Sequence, residues 1–94
     1  MKSRLRDDTL RRKLRAAELF ADRVVERIRE RIYAIYLFGS VAKGATDIDS
    51  KVDILIVADR KDDALYGILS DVAFEVFLST GESIEFLVLT WRKP

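Results

Sequence analysis

Three features of this 94-residue sequence could do chemistry together: a glycine-serine turn, a carboxylate heading an apolar strand, and a second carboxylate inside another apolar strand. The turn is Phe38-Gly39-Ser40-Val41-Ala42-Lys43-Gly44, and Asp53 follows Gly44 by nine residues. A strand that ends in Gly-Ser and turns sharply exposes backbone N–H groups, which with a serine hydroxyl suit phosphate oxygens. Lys43 could add a cation for the same phosphates, and Gly44 closes a Gly-Ser-x-x-x-Gly pattern that ordinary turns also show. Asp53 lies between Val52 and Ile54-Leu55-Ile56-Val57, where an ionised carboxylate is costly to desolvate unless paired or coordinated. Glu85 has the same setting inside Ile84–Leu89. The two carboxylates could converge on one cation, or each could sit at a strand end or sheet edge in water.

The sequence contains no cysteine and no histidine. That excludes disulfides and thiolate metal sites and removes the commonest general base. A metal held here must take oxygen ligands, which favours Mg²⁺ or Mn²⁺. No apolar run approaches the roughly 18 residues needed to span a bilayer. The basic start, Met1-Lys2-Ser3-Arg4-Leu5-Arg6, leads into a charged periodic segment instead of an apolar signal core, so the expected setting is cytoplasmic, with no membrane.

Hydrophobic residues make up 49% of the chain and charged residues 35%, a globular balance in one expected domain over residues 1–94. The net charge of +1 is unevenly spread. Residues 1–31 hold 11 Lys/Arg against 6 Asp/Glu, a net of +5, whereas residues 32–94 hold 6 against 10, a net of −4. A basic first helix could meet nucleic acid or an acidic partner. Acids are interleaved throughout it, however, and no aromatic–basic pattern accompanies it, so nucleic acid is the weaker expectation.

The elements that must position the three features follow from periodicity. Leu10, Leu14, Ala17, Ala21, Val24 and Ile28 form a helical stripe, widened by Phe20 and Val25, and predict a helix over about residues 8–30. Asp7, Asp8 and Thr9 offer capping oxygens at its start. Residues 32–38 are β-branched and aromatic, and predict a strand that ends at Gly39. Residues 39–51 have loop composition with room for one short helical turn. Residues 52–58 read as a second strand, apolar on both faces and so central and covered by helices. Leu65, Ile68, Leu69, Val72 and Val76 mark a second helix that ends near Thr80-Gly81, and Ile84–Leu89 is the third strand. The expected fold is α/β (α+β): a small three-stranded sheet packed with helices, in the order α-β-(short helix or loop)-β-α-β.

Leu37-Phe38-Gly39-Ser40-Val41-Ala42-Lys43-Gly44, followed by Val52-Asp53-Ile54-Leu55-Ile56-Val57, resembles the minimal nucleotidyltransferases of the DNA polymerase β superfamily. Their pattern is Gly-Ser, ten residues, then Asp-x-Asp running into an apolar strand. Ile84–Thr90 is similar to the family's third strand, which carries a third carboxylate. The resemblance covers about residues 32–90 and implies transfer of a nucleoside monophosphate from a nucleoside triphosphate, with ATP the expected one, to a hydroxyl on a protein or small molecule. It implies two divalent metals, Mg²⁺ or Mn²⁺, held by three carboxylates. By that resemblance Gly39 and Ser40, with Lys43 and Gly44, hold the triphosphate, while Asp53 and Glu85 bind metal and are catalytic.

At the first Asp of the pattern this sequence has Lys51. Asp47-Ile48-Asp49 offers carboxylates four residues too early, in what should be loop. Exchanging a ligand of charge −1 for an ammonium swings the local charge by two. Two unit charges about 4 Å apart interact by roughly 4 kcal/mol at an effective dielectric of 20. Metal binding should therefore be weakened or lost unless the side chain swings away, and Lys51 could instead contact the triphosphate. Two readings follow: a weak or unusual transferase, or a degenerate member that binds nucleotide or serves as a protein-interaction (antitoxin-like) module. Family resemblance points to a helical HEPN-type partner for the second, and a homo-oligomer stays open.

Overall fold

The computed structural model describes residues 2–45 and 47–91, with side chains described from residue 8 onward apart from residue 46. A long helix α1 (Lys2–Ile28) passes through a 3₁₀ turn (Arg29–Arg31) into strand β1 (Ile32–Phe38). A one-turn helix α2 (Gly39–Ala42), a loop, strand β2 (Val52–Ala58), helix α3 (Asp63–Thr80) and strand β3 (Ile84–Thr90) follow. The sheet is mixed, in the order β1-β2-β3, with β1 antiparallel and β3 parallel to β2. The parallel step needs a crossover, and α3 supplies it.

The expected element order is the observed one. The first helix begins earlier than its apolar stripe suggested. Asp7, Asp8 and Thr9 lie within α1 instead of capping it, because residues 2–6 contain neither Gly nor Pro to stop a helix. The side chain of Asp7, like Thr46 of the expected loop, lies outside what is described. Helix α3 has the ends its sequence advertises. The Asp62 carboxylate accepts from the Leu65 N–H, and Gly81 takes the left-handed conformation (φ 77°) at the C-terminus.

The covered face of the sheet carries Val52, Ile54, Ile56 and Ala58 of β2, all buried, beside Ile84, Phe86 and Val88 of β3 and Ile35 and Leu37 of β1. Against it pack Ala16, Phe20, Val24 and Ile28 of α1 and Leu65, Leu69, Val72 and Val76 of α3. Phe20 stacks on Phe86 with ring centroids 6.2 Å apart. The buried stripe of α1 is therefore rotated from the one expected. Leu14 is exposed, and with Ala17 and Ala21 it lines an open apolar groove beside Ile35 and Leu37.

The other face corrects the expectation that helices cover β2 on both sides. No described helix lies over it. Strand-to-strand register sets three rows across it: Phe38, Asp53 and Glu85; Tyr36, Leu55 and Leu87; then Ala34, Val57 and Leu89. Tyr36, Leu87 and Leu89 are each more than half exposed. With one long helix and one crossover helix, both packed on the same side, the chain has no described helix left for the second face.

At the end of the sheet remote from Gly39, Arg31 fastens three segments. Its guanidinium donates to both Asp59 oxygens and makes two 3.0 Å bonds to Asp62. The Asp59 N–H returns a 3.0 Å bond to the Arg31 carbonyl. The hydrogen bonds from Arg31 hold the carboxyls of Asp59 and Asp62 below the usual carboxylate range, and those of Asp59 and then Asp62 keep the guanidinium charged.

Candidate functional site

The site end of the sheet is built around a missing side chain. Phe38 is extended, Gly39 reverses the chain at φ 73°, and α2 starts there. A β-carbon on Gly39 would collide with Asp53 Oδ2 and stand 3.0 Å from its Cγ. The Asp53 carboxylate thus lies directly against the Gly39 backbone, as only glycine allows. Val41, buried, anchors the short helix.

The backbone of the turn divides its donors. Beyond residue 42 they are spent locally: Lys43 N–H on Gly39 O at 3.3 Å, Gly44 N–H on Val41 O at 3.0 Å, and Ala45 N–H on Ser40 O at 3.0 Å. The first N–H groups of a helix lack intrahelical acceptors, and here these belong to Gly39, Ser40 and Val41. Ser40 and Gly44 are half-buried and Lys43 is exposed.

Asp53 and Glu85 are partners in register on adjacent parallel strands, so they share the open face, and Phe38 occupies the same row on the other side of Asp53. The sequence-predicted pair is brought together, next to the Gly39-Ser40 turn. Asp53 is half-buried and Glu85 exposed. The third participant is Lys51, whose ammonium stands 3.5 Å from Glu85 Oε2. Both side chains are well exposed, 63% and 59%, so the pair is solvated and its mutual attraction weak.

Asp47 and Asp49 are not brought into this group. The Asp47 carboxylate accepts from the Asp49 N–H at 3.0 Å and the Ser50 hydroxyl at 3.2 Å, closing its own loop. Among the described residues no group of three or more His, Cys, Asp or Glu is placed to hold a metal. Two carboxylates with an ammonium beside one of them do not fit a two-metal centre, which needs a third anionic ligand. What the arrangement can do is present one cation and two anions near a tight Gly-Ser turn.

One feature of this end was missed from sequence. Lys13 of α1 is buried, its ammonium donating to Glu82 Oε1 at 2.6 Å and to the Ser50 carbonyl. Lys13, Ala16, Phe20, Val24 and Ile28 form the true buried stripe at helical spacing. The signal was present, but a lysine on a helix is ordinarily counted as surface. Two apolar hollows, the groove beside Leu14 and another lined by Tyr33, Tyr36, Val57 and Trp91, include neither Asp53 nor Glu85.

A three-stranded mixed sheet packed against helices fits a nucleotidyltransferase fold, and Asp53, Glu85 and the Gly39-Ser40 turn lie at one end of it. A family model described as nucleotidyltransferase domain matches residues 18–91, and the chain belongs to that family, the minimal type within the DNA polymerase β superfamily. No curated protein and no solved structure matches it. The family generally uses a nucleoside triphosphate and a divalent metal. Among the described residues no helix is long and apolar enough to cross a membrane.

Proposed function

We propose that the chain binds a nucleoside triphosphate, ATP the expected one, against the Gly39-Ser40 turn, and that Lys51 supplies charge where the family uses a metal-binding carboxylate. Lys43 adds a second cation at the far side of the turn. Asp53 and Glu85 keep the places of the family's remaining acids. In this reading transfer to a hydroxyl is slow, and the protein acts mainly as a cytoplasmic nucleotide-binding module. The observation that carries it is the 3.5 Å approach of the Lys51 ammonium to Glu85. A cation there opposes a divalent ion through the same Coulomb term that favours a polyphosphate.

Calorimetry with ATP, with and without Mg²⁺, together with a pyrophosphate-release assay, tests this. The expected result is ATP binding that depends little on Mg²⁺, with little pyrophosphate released. Rapid, metal-dependent release by the wild-type chain would overturn it.

A second reading, an antitoxin-like interaction module for a helical HEPN-type partner, is favoured by the open sheet face. Tyr33, Tyr36, Leu87, Leu89 and Trp91 are each more than half exposed there, and apolar side chains gathered on one exposed face are the kind of surface that partners cover. Co-purification with such a partner, lost on Leu87→Glu, would support it. A chain that stays monomeric and partner-free would count against it.

A further inference from the structure

Lys13 has no part in either reading above, yet it is a buried cation. Its side chain is 1% exposed and that of Glu82 8%. A charge so placed is tolerated only where its partners are fixed, and its partners come from two different loops. One is the Ser50 carbonyl, in the loop that leads into β2; the other is Glu82, in the turn that leads into β3. Arg12 holds the second oxygen of Glu82 at 3.3 Å from the exposed side. The Val52 N–H donates to the Ser83 carbonyl at 2.9 Å, joining the same two segments directly.

These are the segments that deliver the site. Lys51 follows Ser50 by one residue, and Glu85 follows Glu82 by three. The Lys51–Glu85 pair is too exposed to fix its own geometry, so its position is inherited from the chain on either side. The clamp beneath it is short, buried and anchored on the longest helix.

We infer that Lys13 is a positioning residue for the nucleotide site: its buried ammonium ties the Ser50 carbonyl to Glu82 and so holds Lys51 beside Glu85. The inference rests on the reading of Lys51 as the cation of that site. It assigns to α1 a role in nucleotide affinity although none of its described side chains lies on the open face.

The test compares the full chain with three variants: Lys51→Ala, the pair Lys13→Met with Glu82→Met, and all three substitutions together. Replacing a buried ion pair by apolar residues is often neutral or stabilising, so the pair variant is expected to keep the wild-type Tm. Its ATP affinity by calorimetry should fall about tenfold, to the level of Lys51→Ala, and the triple variant should lose nothing more, because groups acting through one contact are not additive. Amide exchange at the Val52 N–H should quicken by about tenfold in the pair variant, as local opening becomes easier. A merely structural role would lower Tm and leave the ATP affinity of a folded variant untouched. A stable pair variant that binds ATP as the wild type does, or whose loss adds to that of Lys51→Ala, overturns the inference. So does failure of the pair variant to fold, which would assign Lys13 to the core alone. If the wild-type chain binds no ATP, the nucleotide reading falls, and Val52 exchange alone decides whether the clamp exists.

Discussion

The two faces of the sheet share aliphatic residues along β2 but do opposite work. Ile54 and Ile56 point to the helices and are buried, while Leu55 and Val57, one residue along, point to the open face and are half-buried. The covered face supplies the burial that holds the domain together. The open face holds Asp53, Glu85 and Lys51, groups that would be prohibitively costly under a helix. A chain with two main helices covers one face well and leaves the other for polar chemistry.

The sharpest way to break the comparison is to cut the same kind of side chain from each face. Ile54→Ala should cost about 2–5 kcal/mol in denaturant unfolding, as a cavity in a packed core. Leu87→Ala, at a position 57% exposed, should cost about 0.5 kcal/mol or less. Equal losses would mean that something covers the open face in solution. Gly39→Ala sits at the boundary between them. Its positive φ alone costs about 1–2 kcal/mol, and its β-carbon displaces the Asp53 carboxylate, so urea midpoint and ATP affinity should drop together.

The far end of the sheet has a pH signature of its own. The Asp59 and Asp62 carboxyls are held below their ordinary value of 3.8, chiefly by hydrogen bonds from Arg31. Their stabilisation is fully present above that value and is lost as pH falls through the lowered folded values. Acid titration of Tm should therefore show a loss beginning near pH 4 that is blunted in Arg31→Met. An unchanged acid limb in that variant would remove the cluster from the stability account.

Much of this was legible in the residues. Apolar and β-branched runs gave β1 to β3, and Thr80-Gly81 marked the end of α3. The Gly-Ser turn, Asp53 and Glu85 stood out because charge and glycine are conspicuous beside apolar strands. Exposure of the second face was not legible, since Leu55 and Val57 look the same whether a helix covers them or not. Nor was the clamp: Lys13, Ser50 and Glu82 are far apart in sequence and meet only through the parallel β2–β3 pairing. The Lys51–Glu85 approach depends on that same register.

The smallest structural change should have the largest functional meaning. Lys51→Asp removes one solvated ion pair and should shift stability by no more than about 1 kcal/mol. Calorimetry of this variant with ATP and Mg²⁺ tests directly whether Lys51 occupies the place of a metal ligand. The predicted result is metal-dependent binding stronger than wild type by about tenfold or more, the least that a two-unit change of charge should give. Binding that ignores both the substitution and the metal would show that Lys51 does not stand where the family's carboxylate stands.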